Sequence, residues 1–299
     1  MTDVVEKNNA SFMCTLYVVL GFISLACNSM NILIIISSRD VRRRYLYLAA
    51  YNVGEMVNAI SYILTGFGRG RENDLGTLFT PTTSYDCFTG KFWTHSLIIG
   101  TEVLAYTMIL ITCERFFAVL RPVSYKYIFQ DNNKIIFLAF IPIACTVSLL
   151  MAWLSSYTVR DRIVNTQHCF IIHIVAFYIS LCSFVVAWNI NRKLKSDNRA
   201  SVKHNLVVWI AISASTAVLV SIPSFVMLIR LWTSIEFDDI VVSIAYSMLG
   251  FVSIVNTILN FIFHSQFRRQ VASLMHIETS SSYSGMNRLP AVAFIGHRH

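Results

Sequence analysis

Apolar positions in this chain come in long blocks, not in the alternation of a strand or the narrow stripe of a soluble helix. Seven blocks are long enough to cross a bilayer as helices: 12–36, 46–66, 92–113, 134–155, 170–190, 206–231 and 239–263. Asn52, Glu55 and Asn58 interrupt the second block. Their i, i+3, i+6 spacing places all three on one helical face, so a polar stripe can turn toward neighbouring helices and away from lipid. The seventh block carries Asn256 and Asn260 one turn apart, again on one face. No internal repeat and no low-complexity segment interrupts the pattern.

Composition agrees with this pattern. Of 299 residues, 55% are hydrophobic and only 13% charged, whereas a soluble domain is nearer a quarter charged. The net charge of +8 therefore has to be read by location. Lys and Arg crowd into the loops 37–45, 114–133 and 191–205 and the segment after His264, while acids outnumber them on the opposite side. The positive-inside rule puts the amino terminus outside and the far end in the cytoplasm. Basic residues confined to short loops between apolar blocks exclude nucleic acid as a partner. Asn9-Ala10-Ser11 is a glycosylation sequon in the outside segment, consistent with that orientation. The expected organisation is an extracellular tail 1–11, a spanning domain 12–263, a cytoplasmic amphipathic helix 264–276 and a disordered cytoplasmic tail 277–299. The amphipathic helix follows from Phe267, Val271, Leu274 and Met275, which share a face opposite Arg268 and Arg269. The apolar run after the first eleven residues is too long for the core of a cleavable signal.

Seven cysteines are too few for a disulfide scaffold. Cys27, Cys113, Cys145 and Cys182 fall inside apolar blocks and read as packing residues. Cys87 and Cys169 stand at segment ends facing the oxidising side. A bridge between them would pin the loop after the fourth span over the third; two free thiols are the alternative.

The most informative run is Glu114 to Tyr125, where an apolar block meets a basic loop. Glu114-Arg115-Phe116 is followed by Ala118, Val119, Pro122 and Tyr125. With seven spans and an outside amino terminus, this resembles the rhodopsin-like family of G-protein-coupled receptors, and within it most of all the divergent nematode serpentine chemoreceptors. The resemblance implies an all-α membrane protein: a seven-transmembrane helix bundle with a short amphipathic helix after the seventh span, in the plasma membrane. It implies that Glu114 holds Arg115 at rest, and that Arg115 turns to a heterotrimeric G protein when an extracellular ligand binds. An arginine at the inner end of a bundle can exchange one partner for another, as a two-state switch requires.

Other positions match the family in part. Asn28 resembles the asparagine of its first span. The run Leu48-Ala49-Ala50-Tyr51-Asn52 would put Asn52 at the sodium-binding acid, but the separation from Asn28 and the distance to Gly66 favour Glu55. A carboxylate holds sodium where an asparagine does so poorly. A protonated Glu55, or one bonded to Asn256, is the alternative without an ion. Asn256 to Asn260 stands where the family has Asn-Pro-x-x-Tyr, with the proline and tyrosine both absent. Pro223 matches the proline that kinks the sixth span, but Ser221 replaces the expected tryptophan. Cys87 lies about one turn farther from Arg115 than the family cysteine. The base of the sixth span offers Lys203 and His204 and no acid, so Glu114 alone would restrain Arg115, and high basal activity is expected.

Some ligands and activities are excluded. The seventh span has no lysine, so no retinal Schiff base forms. The amine-binding aspartate of the family would fall at Leu97. Glu102, in the middle of the third span, either lines a ligand pocket or is a buried hydrogen-bonded carboxyl. No cofactor is implied beyond a sodium ion, and no metal-protease, paired-aspartate or serine-elbow motif points to an enzyme. A transporter or channel is the competing class; inverted repeats and glycine-broken paired spans, which would favour it, are missing.

Overall fold

The structure is a computed structural model. It describes residues 2–37, 42, 46–78, 80, 83–158, 178, 182, 185, 214–215, 218–219, 223, 226, 229, 239–263, 267–268 and 271–272. The helices are α1 (Thr2–Ile36), α2 (Leu46–Asp74), α3 (Ser84–Gly90), α4 (Phe92–Leu120), α5 (Pro122–Ile128), α6 (Asp131–Thr158) and α7 (Asp239–Phe263). Among the described residues there is no strand. Three stretches are both long and apolar enough to cross a membrane: Asn8–Ile36, Phe92–Glu114 and Asn132–Leu154. A shorter apolar stretch is Gly250–Ile262, within α7. Helix α2 has the length, about 44 Å at 1.5 Å per residue, but its buried face carries Asn52, Glu55, Asn58, Ser61 and Thr65.

Several elements differ from the sequence expectation. Helix α1 begins at Thr2, so residues 2–11 of the expected tail are helical. No proline precedes Pro81 and no glycine precedes Gly21 to stop it. Helix α2 continues past residue 66 to Asp74, taking in Gly68 and Gly70, which as sequence mark a loop. It ends in a turn at Gly76, whose φ of 70° favours glycine. Helix α4 runs on through Glu114-Arg115-Phe116 to Leu120, so this run is inside a helix. It stops because Arg121 precedes a proline and leaves helical geometry, at φ −136° and ψ 71°. Pro122 then opens α5 from its first turn, where a missing N–H costs nothing. The fifth and sixth blocks lie mostly outside the described residues; Tyr178, Cys182, Val185, Ala214, Ser215, Val218, Leu219, Pro223, Val226 and Ile229 are helical.

Helix α2 is central. It packs along α1 on one side and α4 on the other; α1 also packs along α7, and α4 along α6. Small residues allow the close approach, as expected where lipid gives helices no hydrophobic drive to associate. A Cβ on Gly66 would stand 2.7 Å from the Cys14 carbonyl oxygen, and one on Gly100 would stand 3.0 Å from Asn58 Cα. Between the helices lies a core of Tyr17, Tyr51, Tyr62, Leu104, Met108 and Val252. Tyr17 and Tyr62 stack at 5.7 Å. The outward side of α6 is apolar and exposed, with Ile136, Phe140, Ile143, Val147 and Leu150. The helices thus bury polar side chains and expose aliphatic ones, as a lipid solvent dictates.

Gly66→Ala should destabilise the α1–α2 contact by about 1–3 kcal/mol, the usual cost of overpacking. Gly70→Ala, whose Cβ would only touch Cys14 Cβ at 3.7 Å, should be neutral. Thermal midpoints in detergent check this; equal midpoints for the two variants would mean that the helices are not in this close contact.

Candidate functional site

Three helices contribute to one buried polar layer. Helix α1 supplies Ser24, Asn28 and Asn31, at spacings of four and three that fall on one face. Helix α2 supplies Tyr51, Asn52 and Glu55, and α7 supplies Ser253, Asn256 and Thr257. Asn28 and Asn31 are fully buried and Glu55 is 1% exposed. The Asn256 amide donates to Glu55 Oε1 at 3.1 Å and to the Tyr51 hydroxyl oxygen at 3.1 Å. Ser24 donates to Ser253 Oγ at 2.7 Å, and Asn28 donates to the same oxygen at 3.0 Å. One turn away along α1, the Asn31 amide donates to Asn52 Oδ1 at 3.1 Å and to Thr257 Oγ1 at 2.9 Å.

The atoms left over share one chemistry. Glu55 Oε2 and the side-chain oxygens of Asn28, Asn31, Asn256 and Asn260 are buried without a hydrogen-bond partner among the described residues. The amide donors of Asn28, Asn31 and Asn256 are engaged, so the open valences are all acceptors. Of these, Glu55 Oε2 and the open oxygens of Asn28 and Asn256, whose amides bond within the same layer, are the acceptors that could hold a hard monovalent cation. Among the described residues no group of three His, Cys, Asp or Glu side chains could hold a metal ion.

Glu102 lies on the α4 side, fully buried, where its Oε1 accepts from the Ser148 hydroxyl of α6. It therefore joins the two helices.

The Glu114 end is built from four elements. Lys134, near the start of α6, places its ammonium 2.7 Å from Glu114 Oε1. The Tyr125 hydroxyl of α5 donates to the same oxygen at 3.3 Å. The Lys134 ammonium also lies 5.4 Å from the centroid of the Tyr47 ring and 5.9 Å from that of Tyr125, close enough for cation–π attraction. Beneath it Phe129 is buried against Tyr47, Phe117, Tyr125 and Phe137, with centroids 5.6 to 6.2 Å away. Burial first, and the Glu114 carboxylate next, push the Tyr125 hydroxyl above its ordinary value, so it stays a donor at neutral pH. The side chains of Arg115, Phe116 and Pro122 lie outside what the structure describes. The sequence expectation gives Glu114 to Arg115; the structure gives its Oε1 to Lys134 and Tyr125.

At the opposite end Lys91 pairs with Glu72 at 2.8 Å, tying the far end of α2 to the start of α4. Cys87 on α3 is a half-buried free thiol, and burial pushes its pKa up and keeps it protonated. Cys169 lies outside the described residues. Asn9 is half-buried within α1, so the sequon is helical rather than extended. Pro223 is buried on a helix. Beyond α7, Phe267 is buried and Arg268 donates to the Phe261 carbonyl at 3.1 Å and to that of Ile262, capping the helix with a cation as its dipole favours.

The structure thus brings Asn28, Glu55 and Asn256 together, with Asn260 buried one turn along, and sets Glu102 apart from them. Sequence reasoning did not single out Ser24, Asn31, Ser253, Thr257 or Lys134 as site residues. For the first four the signal was present, as polar residues at helical spacing on the faces of Asn28 and Asn256. Lys134 looked like an ordinary boundary charge at the start of an apolar block.

No curated protein matches this chain. Residues 44–173 match a protein family described as Caenorhabditis serpentine receptor-like protein, class xa. That stretch contains Glu55, Glu102, the whole Glu114-to-Tyr125 run and Lys134. The resemblance to nematode serpentine receptors, carried in the sequence by Glu114-Arg115-Phe116, is therefore carried by residues 44–173 as a whole.

Proposed function

We propose that this chain is a chemoreceptor of the serpentine type, a plasma-membrane G-protein-coupled receptor that passes an extracellular ligand signal to a heterotrimeric G protein. The observation that carries this reading is the Glu114 end. An acid-Arg-aromatic run lies in α4 where its membrane-length apolar stretch ends, its acid is tied to α6, and the run lies inside the family match. The apolar blocks at 170–190 and 206–231 complete seven spans over 12–263, with the amino terminus outside. The burial of Phe267 and the Arg268 cap support an amphipathic helix over 264–276 on the cytoplasmic face, followed by the tail 277–299. Glu114 and Arg115 form the coupling switch, and Phe116, Pro122 and Tyr125 shape the surface beside it. Pro223 kinks the sixth span. In this orientation Cys87 and Asn9 lie toward the outer, oxidising side. The Ser148 contact favours Glu102 as a buried carboxyl between α4 and α6 over a ligand-pocket residue. In the polar layer Glu55, with the open oxygens of Asn28 and Asn256, holds a sodium ion, and Asn260 extends that network.

The coupling reading is tested with purified receptor in nanodiscs and Gα subunits of each major class, without added ligand. Nucleotide exchange should exceed that of empty nanodiscs and fall at least about tenfold, roughly 1.4 kcal/mol of activation free energy, in Arg115→Ala at equal receptor concentration. Exchange insensitive to Arg115→Ala, or an ion current in planar bilayers without G protein, would remove the receptor reading.

The sodium reading makes a separate prediction. A cation bound only to the folded state stabilises it by mass action, by about 1.4 kcal/mol at ten times its dissociation constant. The thermal midpoint should therefore rise by a few degrees in sodium chloride over choline chloride of equal ionic strength. Glu55→Gln should abolish that difference; a midpoint equally insensitive to sodium in the unsubstituted receptor would exclude the ion.

A further inference from the structure

We infer that Lys134 is a positioning residue that sets the resting state of the switch by neutralising Glu114 from a neighbouring helix; this rests on the receptor reading above. One ammonium, one phenol and one carboxylate converge here. Lys134 Nζ lies 2.7 Å from Glu114 Oε1, in a pair whose side chains are only 9% and 18% exposed. The Tyr125 hydroxyl reaches the same oxygen at 3.3 Å. The Tyr47 and Tyr125 rings flank the ammonium. Phe129, packed among Tyr47, Phe117, Tyr125 and Phe137, fixes the chain between α5 and α6. Lys134 therefore has little freedom to swing to solvent, and its charge stays on Glu114.

The consequence is electrostatic. Attraction between Glu114 and the neighbouring Arg115 depends on the net charge that Glu114 presents. A carboxylate matched at 2.7 Å by a shielded lysine presents much less than an unmatched one. Glu114 thus restrains Arg115 weakly, and the resting equilibrium lies nearer the G-protein-competent state. The high basal activity expected from a sixth span with no acid at its base gains a second and independent cause in Lys134. The pair ties α4 to α6, and the Tyr125 hydroxyl on the same carboxylate holds α5 against them. That leaves Val123 and Tyr127 of α5 exposed at 75% and 76% beside the switch.

The test is a set of substitutions read by ligand-free nucleotide exchange at matched receptor concentration. Lys134→Met strips the counter-charge, turns Glu114 onto Arg115 and should lower exchange about five-fold, the low end of measured couplings between sites. Lys134→Arg should keep the exchange of the unsubstituted receptor. Glu114→Gln, which removes the restraint itself, should raise exchange, and Glu114→Gln combined with Lys134→Met should match Glu114→Gln alone, because Lys134 acts only through Glu114. A merely structural lysine would lower exchange in both backgrounds, and that result would overturn the inference. The double variant buries no unpaired charge, so it reports even if Lys134→Met alone does not fold; Lys134→Gln then takes its place. Unchanged exchange in Lys134→Met and Lys134→Gln, with exchange still lost in Arg115→Ala, would sink the inference and leave the receptor reading standing. No exchange by any form would remove the receptor reading itself.

Discussion

A carboxyl group buried in helices that face lipid is the constraint on which this architecture depends. Glu55 lies at 1% exposure in the middle of α2, and hydrocarbon can neither hydrate it nor offer it a proton partner. An unsatisfied buried polar group costs about 1–3 kcal/mol, and a charged one more. The side chains that meet this cost come from Asn256 of α7 and Tyr51 of α2 itself, with Ser24, Asn28 and Ser253 around them. Each of these groups works only if its helix is turned to one rotation about its axis. The polar layer therefore fixes which faces of α1, α2 and α7 meet, a decision that apolar packing alone leaves open in a solvent as greasy as the side chains.

Close contact is the second requirement. Hydrogen bonds near 3 Å across three helices need backbones that approach without intervening bulk. Gly66 lies under the Cys14 carbonyl, and Gly21 lies against Ala59 and Ile63. These glycines sit on the α1–α2 seam that also carries Asn28, Asn31, Asn52 and Glu55. Polar bonding and small-residue packing are thus two aspects of one contact. The aromatic core of Tyr17, Tyr51 and Tyr62 fills the wider gaps along it.

Much of this was legible in the sequence where periodicity and solvent act together. The stripe of Asn52, Glu55 and Asn58 and the pair Asn256 and Asn260 announced buried faces, because lipid permits no other place for them. Boundaries were less legible. Gly68 and Gly70 suggested a loop, yet α2 passes through both, since Gly68 has to clear the Trp93 ring. A glycine required by a neighbour and a glycine required by a turn look alike until the neighbour is known. Residues 114–120 looked like a helix end because charge appeared there. The helix ends later, where Pro122 constrains Arg121, since one exposed or paired charge does not break helical hydrogen bonds. Lys134 was invisible as a partner because the pair spans two helices, and no local spacing encodes it.

The contrast between the two carboxyl sites bears on how the proposed switch would be built. Around Glu55 the described groups that reach the carboxyl are neutral, and the atoms left open are oxygens. Such a layer is held by geometry and responds to whatever small donor or cation enters it. At Glu114 the partner is a full charge on another helix, shielded by aromatic rings. A buried ion pair contributes little net stability over an apolar contact, but breaking it by removing one partner is costly. It therefore specifies an arrangement more than it strengthens the fold. The family pattern places acid and arginine next to each other, where the chain itself guarantees their proximity. Placing the lysine on α6 makes the strength of that neighbouring pair depend on how α4, α5 and α6 pack. In the proposed switch, a displacement of α6 would then change the charge that Arg115 experiences without moving α4 at all.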